Sequence, residues 1–355
     1  MSTLCIDSYS ILLVILFGGD TMSTQYLVTG AAGNLGFNLI SELLKRGKKV
    51  RALVLANDRL AKRLPKDVEI VEGDILNKPD LDSFFRHGKA DDITVIHAAG
   101  IVSIDPGYNK KVHDVNVSGT QNIVEQSLDH EVKKLIYVSS VHAIPELPKG
   151  QVMSEVSDFE PEKVVGCYGR SKAEASQIVL DASREHGLNA SIVQPSGIIG
   201  PSDYGVSNIT QLLIDIATKR LPAGIDGGYN FVDVRDVATG IVNCADAGKK
   251  GECYILGNRY VSVKELIDIT QKTLSLKRIV PMLPVWIARA LVPFFGLYYK
   301  IKNQKPLFTS YSLHTLTTNS DFSIDKAKTE LGFSPRPFEQ TIQDAVNWLK
   351  QAGLI

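Results

Sequence analysis

One stretch decides the architecture: Gln25-Tyr26-Leu27-Val28-Thr29-Gly30-Ala31-Ala32-Gly33-Asn34-Leu35-Gly36. An apolar, strand-like run, Gln25 to Val28, enters a glycine-spaced turn and then a helix-like run. A strand passing straight into a helix must turn tightly, which calls for residues free of Cβ constraints. Gly30, Gly33 and Gly36 supply them, with G-x-x-G-x-x-G spacing in place of the commoner G-x-G-x-x-G. The helix N-terminus that follows offers free N–H groups and a partial positive charge, a seat for a pyrophosphate. Gly30, Gly33, Asn34, Leu35 and Gly36 are therefore the expected dinucleotide contacts. Gly47 ends this helix, and Lys49 to Leu55 reads as a second buried strand, completing a βαβ unit.

Outward from this unit, apolar runs and helical stretches alternate. Val68 to Val71 reads as a third strand, ending in Glu72-Gly73-Asp74-Ile75. Ile93 to His97 is a fourth, running into Ala98-Ala99-Gly100. A long helix, Lys110 to His130, precedes a fifth strand, Lys134 to Val138. Cys167 to His186 is a helix closed by Gly187, and Ala190 to Gln194 is a sixth strand ending in Pro195-Ser196-Gly197. Near-continuous Val/Ile/Leu runs suit parallel strands buried on both faces, so the fold class is α/β, a doubly wound parallel-sheet Rossmann fold. Ligands in such sheets bind beyond the carboxyl ends of the strands, where each of these motifs lies.

After Gly200 the rhythm loosens. Ser207 to Arg220 and Ser262 to Leu274 look helical, the second with a Ser262-x-x-Glu265 capping box. The expected division is a nucleotide-binding core over 22–200 and a smaller C-terminal cap over 201–355. Phe231 to Val237 and about 252–256 are read as late strands returning to the core. Pro284 to Ile301 is apolar almost all round and short for a spanning helix. It is read as a cap helix over an apolar pocket, with peripheral membrane contact as the rival.

The second signature is Tyr168-Gly169-Arg170-Ser171-Lys172, in the helical stretch that follows Ser139-Ser140. Four residues apart, Tyr168 and Lys172 share a helix face. A nearby ammonium favours a phenolate and draws its pKa down from the usual ~10. Ser140, at a strand end, can donate to a substrate oxygen and steady its charge. A dinucleotide turn followed by this proton-transfer pair points to a nicotinamide-dependent enzyme.

The chain has 355 residues and a formal net charge of zero, with no basic block to suggest nucleic acid. Cys5, Cys167, Cys244 and Cys253 are scattered, which argues against a metal site or disulfide framework and fits a reducing cytoplasm. Cys167 beside Tyr168 is read as a small buried hydrophobe. Residues 1–21 look foreign to the rest. Gly18-Gly19-Asp20 can be encoded as GGAGGTGAT, a purine-rich ribosome-binding sequence, so translation is expected to start at Met22. Detection of a Tyr9-containing peptide in native protein would refute this; the rival reading is a short membrane-facing or disordered arm.

From Gln25 to Leu349 the chain resembles the extended short-chain dehydrogenases/reductases of the epimerase/dehydratase type. Within them it is similar to dihydroflavonol reductases and 3β-hydroxysteroid dehydrogenases. The likeness rests on the glycine turn, Gly73-Asp74, His97 to Gly100 and Asn116-Val117-x-Gly119-Thr120. It continues through Tyr137 to Ser140, Tyr168-x-x-x-Lys172 and Pro195 to Pro201. Phe231-x-x-Val234-Arg235-Asp236-Val237 and Glu330-Leu331-Gly332-Phe333-x-Pro335-Arg336 complete it. The resemblance implies that Tyr168 is the general acid/base, Lys172 its partner and holder of the nicotinamide ribose, and Ser140 the group orienting the substrate oxygen. Asn116 would shape the site through its helix or a bound water, or else mark a kinked helix. Asp74 and Ile75 would meet the adenine, Ala98, Ala99 and Gly100 would line the cofactor, and Pro195, Ser196, Gly197 and Ile198 would flank the nicotinamide. A homodimer through a helix pair is also implied. His97, His113 and His142 read as ordinary polar residues, and Asp236 as a structural anchor for the cap.

Val54 stands where NAD-selective relatives carry an acid, and Leu55 where NADP-selective ones often carry arginine. No carboxylate repels a 2′-phosphate and Arg59 can reach one, so NADP(H) is favoured over NAD(H). The expected activity interconverts a ketone and a secondary alcohol on a small apolar, steroid- or flavonoid-like substrate. A nucleotide-sugar epimerase or dehydratase with tightly bound NAD is the alternative. It is weakened by Gln194-Pro195-Ser196, where such enzymes show Phe-Asn. A non-catalytic redox sensor is the third class.

Overall fold

The computed structural model describes residues 24–86, 93–104, 107–292 and 309–355. The leader at 1–21 and the part of Pro284–Ile301 from residue 293 onward lie outside them. The strands are, in chain order, β1 (Gln25–Thr29), β2 (Lys49–Val54), β3 (Glu69–Glu72), β4 (Ile93–His97), β5 (Lys134–Val138) and β6 (Ala190–Pro195). They continue as β7 (Gly197–Ile199), β8 (Gly224–Ile225), β9 (Gly228–Asp233), β10 (Cys253–Leu256), β11 (Arg259–Ser262) and β12 (Met282–Leu283). Seven of these form one parallel sheet in the order β3-β2-β1-β4-β5-β6-β10. This is a doubly wound Rossmann sheet, with its switch point between β1 and β4.

Alternation along the strands sorts side chains onto two buried faces. Tyr26 and Val28 join one core, with Leu39, Ile40 and Leu43 of α1 (Asn34–Lys45). Leu27 joins the other, with Phe84 and Phe85 of α2 (Lys78–Phe85). The second face is completed by α3 (Lys110–His113), a π-helical turn (Asp114–Ser118), α4 (Gly119–Asp129) and α5 (Cys167–Glu185). The expected unbroken helix from Lys110 to His130 thus contains a π segment, and Asn116 lies in it.

The C-terminal part adds α6 (Asn208–Ala217), α7 (Val234–Ala247) and α8 (Val263–Thr273), then α9 (Ser310–Thr317), α10 (Asp325–Leu331) and α11 (Phe338–Gln351). Helix α7 returns to the sheet and packs beside α1 through Ile241 and Val242. The small sheet β11-β9-β7 and the pair β12-β8 stand apart from the large sheet. Phe231 to Val237 is therefore not a strand of the core. Its first half belongs to β9, and Asp233 then caps α7 by accepting from the Arg235 N–H at 2.8 Å. Residues 253–256 do enter the core sheet, as β10 beside β6.

Two local expectations also change. β3 is an exposed edge strand, with Ile70 44% exposed. Ser262 caps α8 by accepting from the Glu265 N–H (3.1 Å), but the Glu265 carboxylate pairs with Arg259 at 2.8 Å and leaves the box half made. Residues 285–292 are helical, and Val285, Ala288 and Val292 pack against Ile225 and Leu313. Among the described residues no helix is long and apolar enough to cross a membrane.

Candidate active site

The glycine turn sits at the carboxyl end of β1, and its glycines are required by contact as well as by conformation. Gly30 has φ +69°, and a Cβ there would stand 2.6 Å from the Ala99 nitrogen in the loop after β4. A Cβ on Gly36 would stand 2.1 Å from the Gly30 oxygen. The turn is closed by Gly33 N–H donating to that same oxygen at 3.1 Å. Gly33 is the N-cap of α1 and supplies no side-chain acceptor; no acidic residue lies in the first turn. The N–H groups at Asn34, Leu35 and Gly36 thus head an uncapped helix, fitted in charge and shape to a pyrophosphate.

The neighbouring strand ends are tied to this turn. Thr29 Oγ1 meets His97 Nδ1 at 2.7 Å and accepts from the Ala99 N–H at 3.2 Å. His97 Nε2 meets Thr120 Oγ1 at 3.0 Å, and burial lowers the His97 pKa to about 3. His97 is thus a neutral structural tie, and His113 pairs at the surface with Glu174 at 3.2 Å. Asp74 follows β3, its carboxylate accepting from the Leu76 N–H at 2.9 Å. Ile75 is buried against Gly119, and its carbonyl accepts from Asn122 at 2.9 Å. At the end of β2, Val54 is buried and Leu55 is 57% exposed; Arg59 is exposed on the following loop.

Asn116, Gly100 and Lys172 converge. The Asn116 amide accepts from the Ile101 N–H (2.8 Å) and donates to the Ile101 carbonyl and Ser171 Oγ, both at 3.0 Å. A Cβ on Gly100 would lie 3.2 Å from Asn116 Oδ1 and 3.5 Å from Lys172 Nζ. Lys172 Nζ donates to the Val138 carbonyl (2.7 Å) and the Tyr137 hydroxyl (3.2 Å), over whose ring it stands. Burial lowers its pKa to about 7. Tyr168 is buried one helical turn away and hydrogen-bonded to Ser140, whose Oγ also accepts from the His142 N–H at 3.2 Å.

One expectation is reversed here. Sequence spacing has Lys172 drawing the Tyr168 pKa down. In the structure burial raises it, with the Ser140 hydrogen bond the opposing influence, while the lysine gives its hydrogen bonds to Val138 and Tyr137. Pro195 ends β6 and Gly197 begins β7. Gly197 is fixed by the small sheet, since a Cβ there would stand 2.9 Å from the Asn230 oxygen. Ser196 Oγ between them is buried without a hydrogen-bond partner among the described residues, which suits a polar ligand at this edge.

Beyond Tyr168 opens a cavity of about 320 Å³. Ile104, Leu212, Ile225, Phe231, Leu266 and Leu316 give it an apolar wall. Among the described lining residues Asp215 is the one carboxylate, and it is held by Gln211 (2.9 Å) and Arg220 (3.4 Å). No Lys or Arg stands among the described lining residues. His142, Tyr229 and Tyr311 also face it, and sequence reasoning set His142 aside and missed both tyrosines. Tyr229 stood two residues before the quoted Phe231 motif. Tyr311 gave no local signal; it is seated against Gly166 (φ +85°), where a Cβ would overlap its ring.

The NAD dependent epimerase/dehydratase family model matches residues 26–257. The chain is 30% identical to sterol demethylase protein B of Methylococcus capsulatus, over 93% of this chain and 99% of that one. It is 29% identical to a putative dihydroflavonol 4-reductase of Synechocystis sp., over 94% and 97%. The crystal structure of gox2253 superposes with a TM-score of 0.80 at 31% identity, covering 94% of this chain and all of that one (100%). With the glycine turn, Ser140, Tyr168 and Lys172 in place, these likenesses identify an NAD(P)-dependent enzyme: the chain belongs to the NAD dependent epimerase/dehydratase family, the extended short-chain dehydrogenases/reductases.

Proposed function

We propose that the protein interconverts a ketone and a secondary alcohol on an apolar, steroid- or flavonoid-like substrate. The observation that carries this reading is the cavity: Tyr168 stands in the wall of an apolar chamber. A nicotinamide held at the strand ends would supply or accept the hydride. Tyr168, kept protonated by burial, gives its proton to the carbonyl oxygen in reduction and takes it back in oxidation. Ser140 donates to the same oxygen. Lys172 would hold the nicotinamide ribose, and Asn116 fixes the Ile101 backbone nearby.

Gly30, Gly33, Asn34, Leu35 and Gly36 would hold the pyrophosphate. Asp74 and Ile75 would border the adenine, Ala98 to Gly100 would line the cofactor, and Pro195 to Ile198 would flank the nicotinamide. With Val54 at the end of β2 and Arg59 exposed beyond it, the cofactor favoured is NADP(H). Side-by-side titrations test this, and clearly tighter NADH refutes it.

A nucleotide-sugar substrate would bring a diphosphate into a chamber without a described Lys or Arg, so the epimerase reading is second. The deciding experiment follows nicotinamide absorbance with steroid, flavonoid and simple ketones. Net cofactor oxidation that falls at least ~100-fold in Tyr168→Phe, with cofactor affinity retained, supports the reductase. No net turnover and a cofactor retained through purification would favour the epimerase.

A further inference from the structure

We propose that His142, Tyr229 and Tyr311 form a recognition relay that presents one hydroxyl proton to a second, uncharged oxygen of the substrate, a few bonds from the carbonyl served by Tyr168. The inference deepens the ketone reading and rests on it for the first oxygen.

The three side chains form one cluster at the cavity wall. The Tyr229 hydroxyl lies 3.0 Å from His142 Nε2, and the Tyr311 hydroxyl 3.5 Å from Nδ1. The His142 and Tyr229 rings stack with centroids 5.5 Å apart and planes at 9°. The Tyr168 ring meets His142 edge-on at 6.0 Å, so the cluster adjoins the reacting centre.

Counting protons gives the cluster its function. Burial lowers the His142 pKa to about 4, so at neutral pH the ring has one N–H donor and one bare nitrogen acceptor. Burial raises both tyrosines above the ordinary phenol value, so each keeps its O–H. The three groups hold three donors, and the two contacts among them use two. With the proton on Nε2, Tyr229 accepts it and its own O–H is spare; with the proton on Nδ1, the spare O–H belongs to Tyr311. The Thr315 hydroxyl gives its proton to the Tyr311 carbonyl (3.0 Å) and also hydrogen-bonds the Tyr311 side chain, so an O–H spare at Tyr311 has a local acceptor and the donor left for a ligand is that of Tyr229. The 3.5 Å contact is the looser one, and its opening only enlarges the surplus.

A spare donor at an apolar wall is costly until an acceptor arrives. Water can satisfy it between turnovers, and a substrate oxygen satisfies it during them. The acceptor is uncharged because the described lining offers no Lys or Arg, and Asp215 adds a negative charge. The His142 ring lies 6.0 Å from the Tyr168 ring, so one small substrate can meet both, and its second oxygen (keto, hydroxyl or ester) is sought within a few bonds of the reacting carbonyl.

The test uses the protein loaded with oxidised cofactor, so that ketones bind without turnover. Dissociation constants of benzil (two adjacent carbonyls) and deoxybenzoin (one) are measured by calorimetry. The proteins compared are wild type, Tyr229→Phe, Tyr311→Phe and the double variant. Wild type should prefer benzil about tenfold, and the double variant should lose that preference while binding deoxybenzoin as before. An undiminished preference in the double variant overturns the relay. So does an equal loss for both ketones, which marks a merely structural role, or failure of wild type to bind either. Reduction of bound ketone is then assayed separately with reduced cofactor. A Tyr-dependent preference without reduction sinks the reductase reading and leaves the relay standing.

Discussion

Tyr168 and Lys172 sit one turn apart in α5, and burial acts on them in opposite senses. It holds the phenol protonated, which suits a proton donor, and lowers the lysine to about 7 from its ordinary 10.5. The sign of the consequence follows from linkage: between about pH 7 and 10.5 the unfolded chain binds the Lys172 proton that the folded protein has released. Stability therefore rises with pH across that window, and below it the folded state carries the full cost of a buried ammonium. Lys172→Met should accordingly raise Tm at pH 6, with the gain shrinking as pH rises through that window. Thermal unfolding of both proteins at pH 6, 8 and 10 checks this, and a gain that does not vary with pH would falsify it. The i, i+4 spacing of the pair was legible in the sequence. The engagement of Lys172 by Val138 and Tyr137 was not, because it depends on how α5 lies across β5.

At the level of elements, the π turn at Asp114–Ser118 carries the most consequence for the site. It places Asn116 where one amide satisfies both backbone groups of Ile101 and meets Ser171. Asn116→Ala strips those partners from a partly buried loop and should cost about 1–3 kcal/mol in denaturant unfolding. Asn116→Asp keeps an acceptor for the Ile101 N–H but faces the Ile101 carbonyl with a carboxylate, so it should not restore stability. Equal stability of wild type and both variants would show that the loop needs no anchor. The elements of the first half were readable because each strand is an apolar run ending in small residues at the ligand edge. Phe-Val-Asp-Val-Arg-Asp-Val was misread because its alternation imitates a strand, whereas the Asp233 side chain captures the Arg235 N–H and starts a helix there. The tyrosines beside His142 were hidden for a different reason. Tyr229 lies 87 residues from His142 and Tyr311 lies 169 away, and only the tertiary fold joins them.

For the molecule as a whole, a charge network adds to the apolar packing that holds the C-terminal segment to the rest. Asp236, in the first turn of α7, accepts from the Arg336 backbone N–H (2.8 Å), Nε (2.9 Å) and Nη2 (2.7 Å). Arg235 bridges Asp233 at the end of β9 and Asp344 on α11, at 2.7 and 2.8 Å. Asp233 and Asp236 are buried, so removing a cation leaves a carboxylate that water cannot readily solvate. Arg336 remains partly exposed, which reduces the cost below that of a fully buried pair. Arg336→Met should therefore destabilise by about 2–3 kcal/mol in urea, and Arg336→Lys should recover only part of it, because an ammonium lacks the planar fork. Adding Asp236→Asn to Arg336→Met should cost less than the sum of the single changes, since the stranded charge is then gone. The same variant separates the two halves of the site. Phe338 at the start of α11 packs against Phe231 in the cavity wall, with ring centroids 6.0 Å apart, whereas the glycine turn lies between β1 and α1. Ketone affinity should thus weaken in Arg336→Met while cofactor affinity stays unchanged. Equal weakening of both would mean that the network supports the nucleotide half as well, and a loss below about 0.5 kcal/mol would reduce it to an ordinary surface cluster.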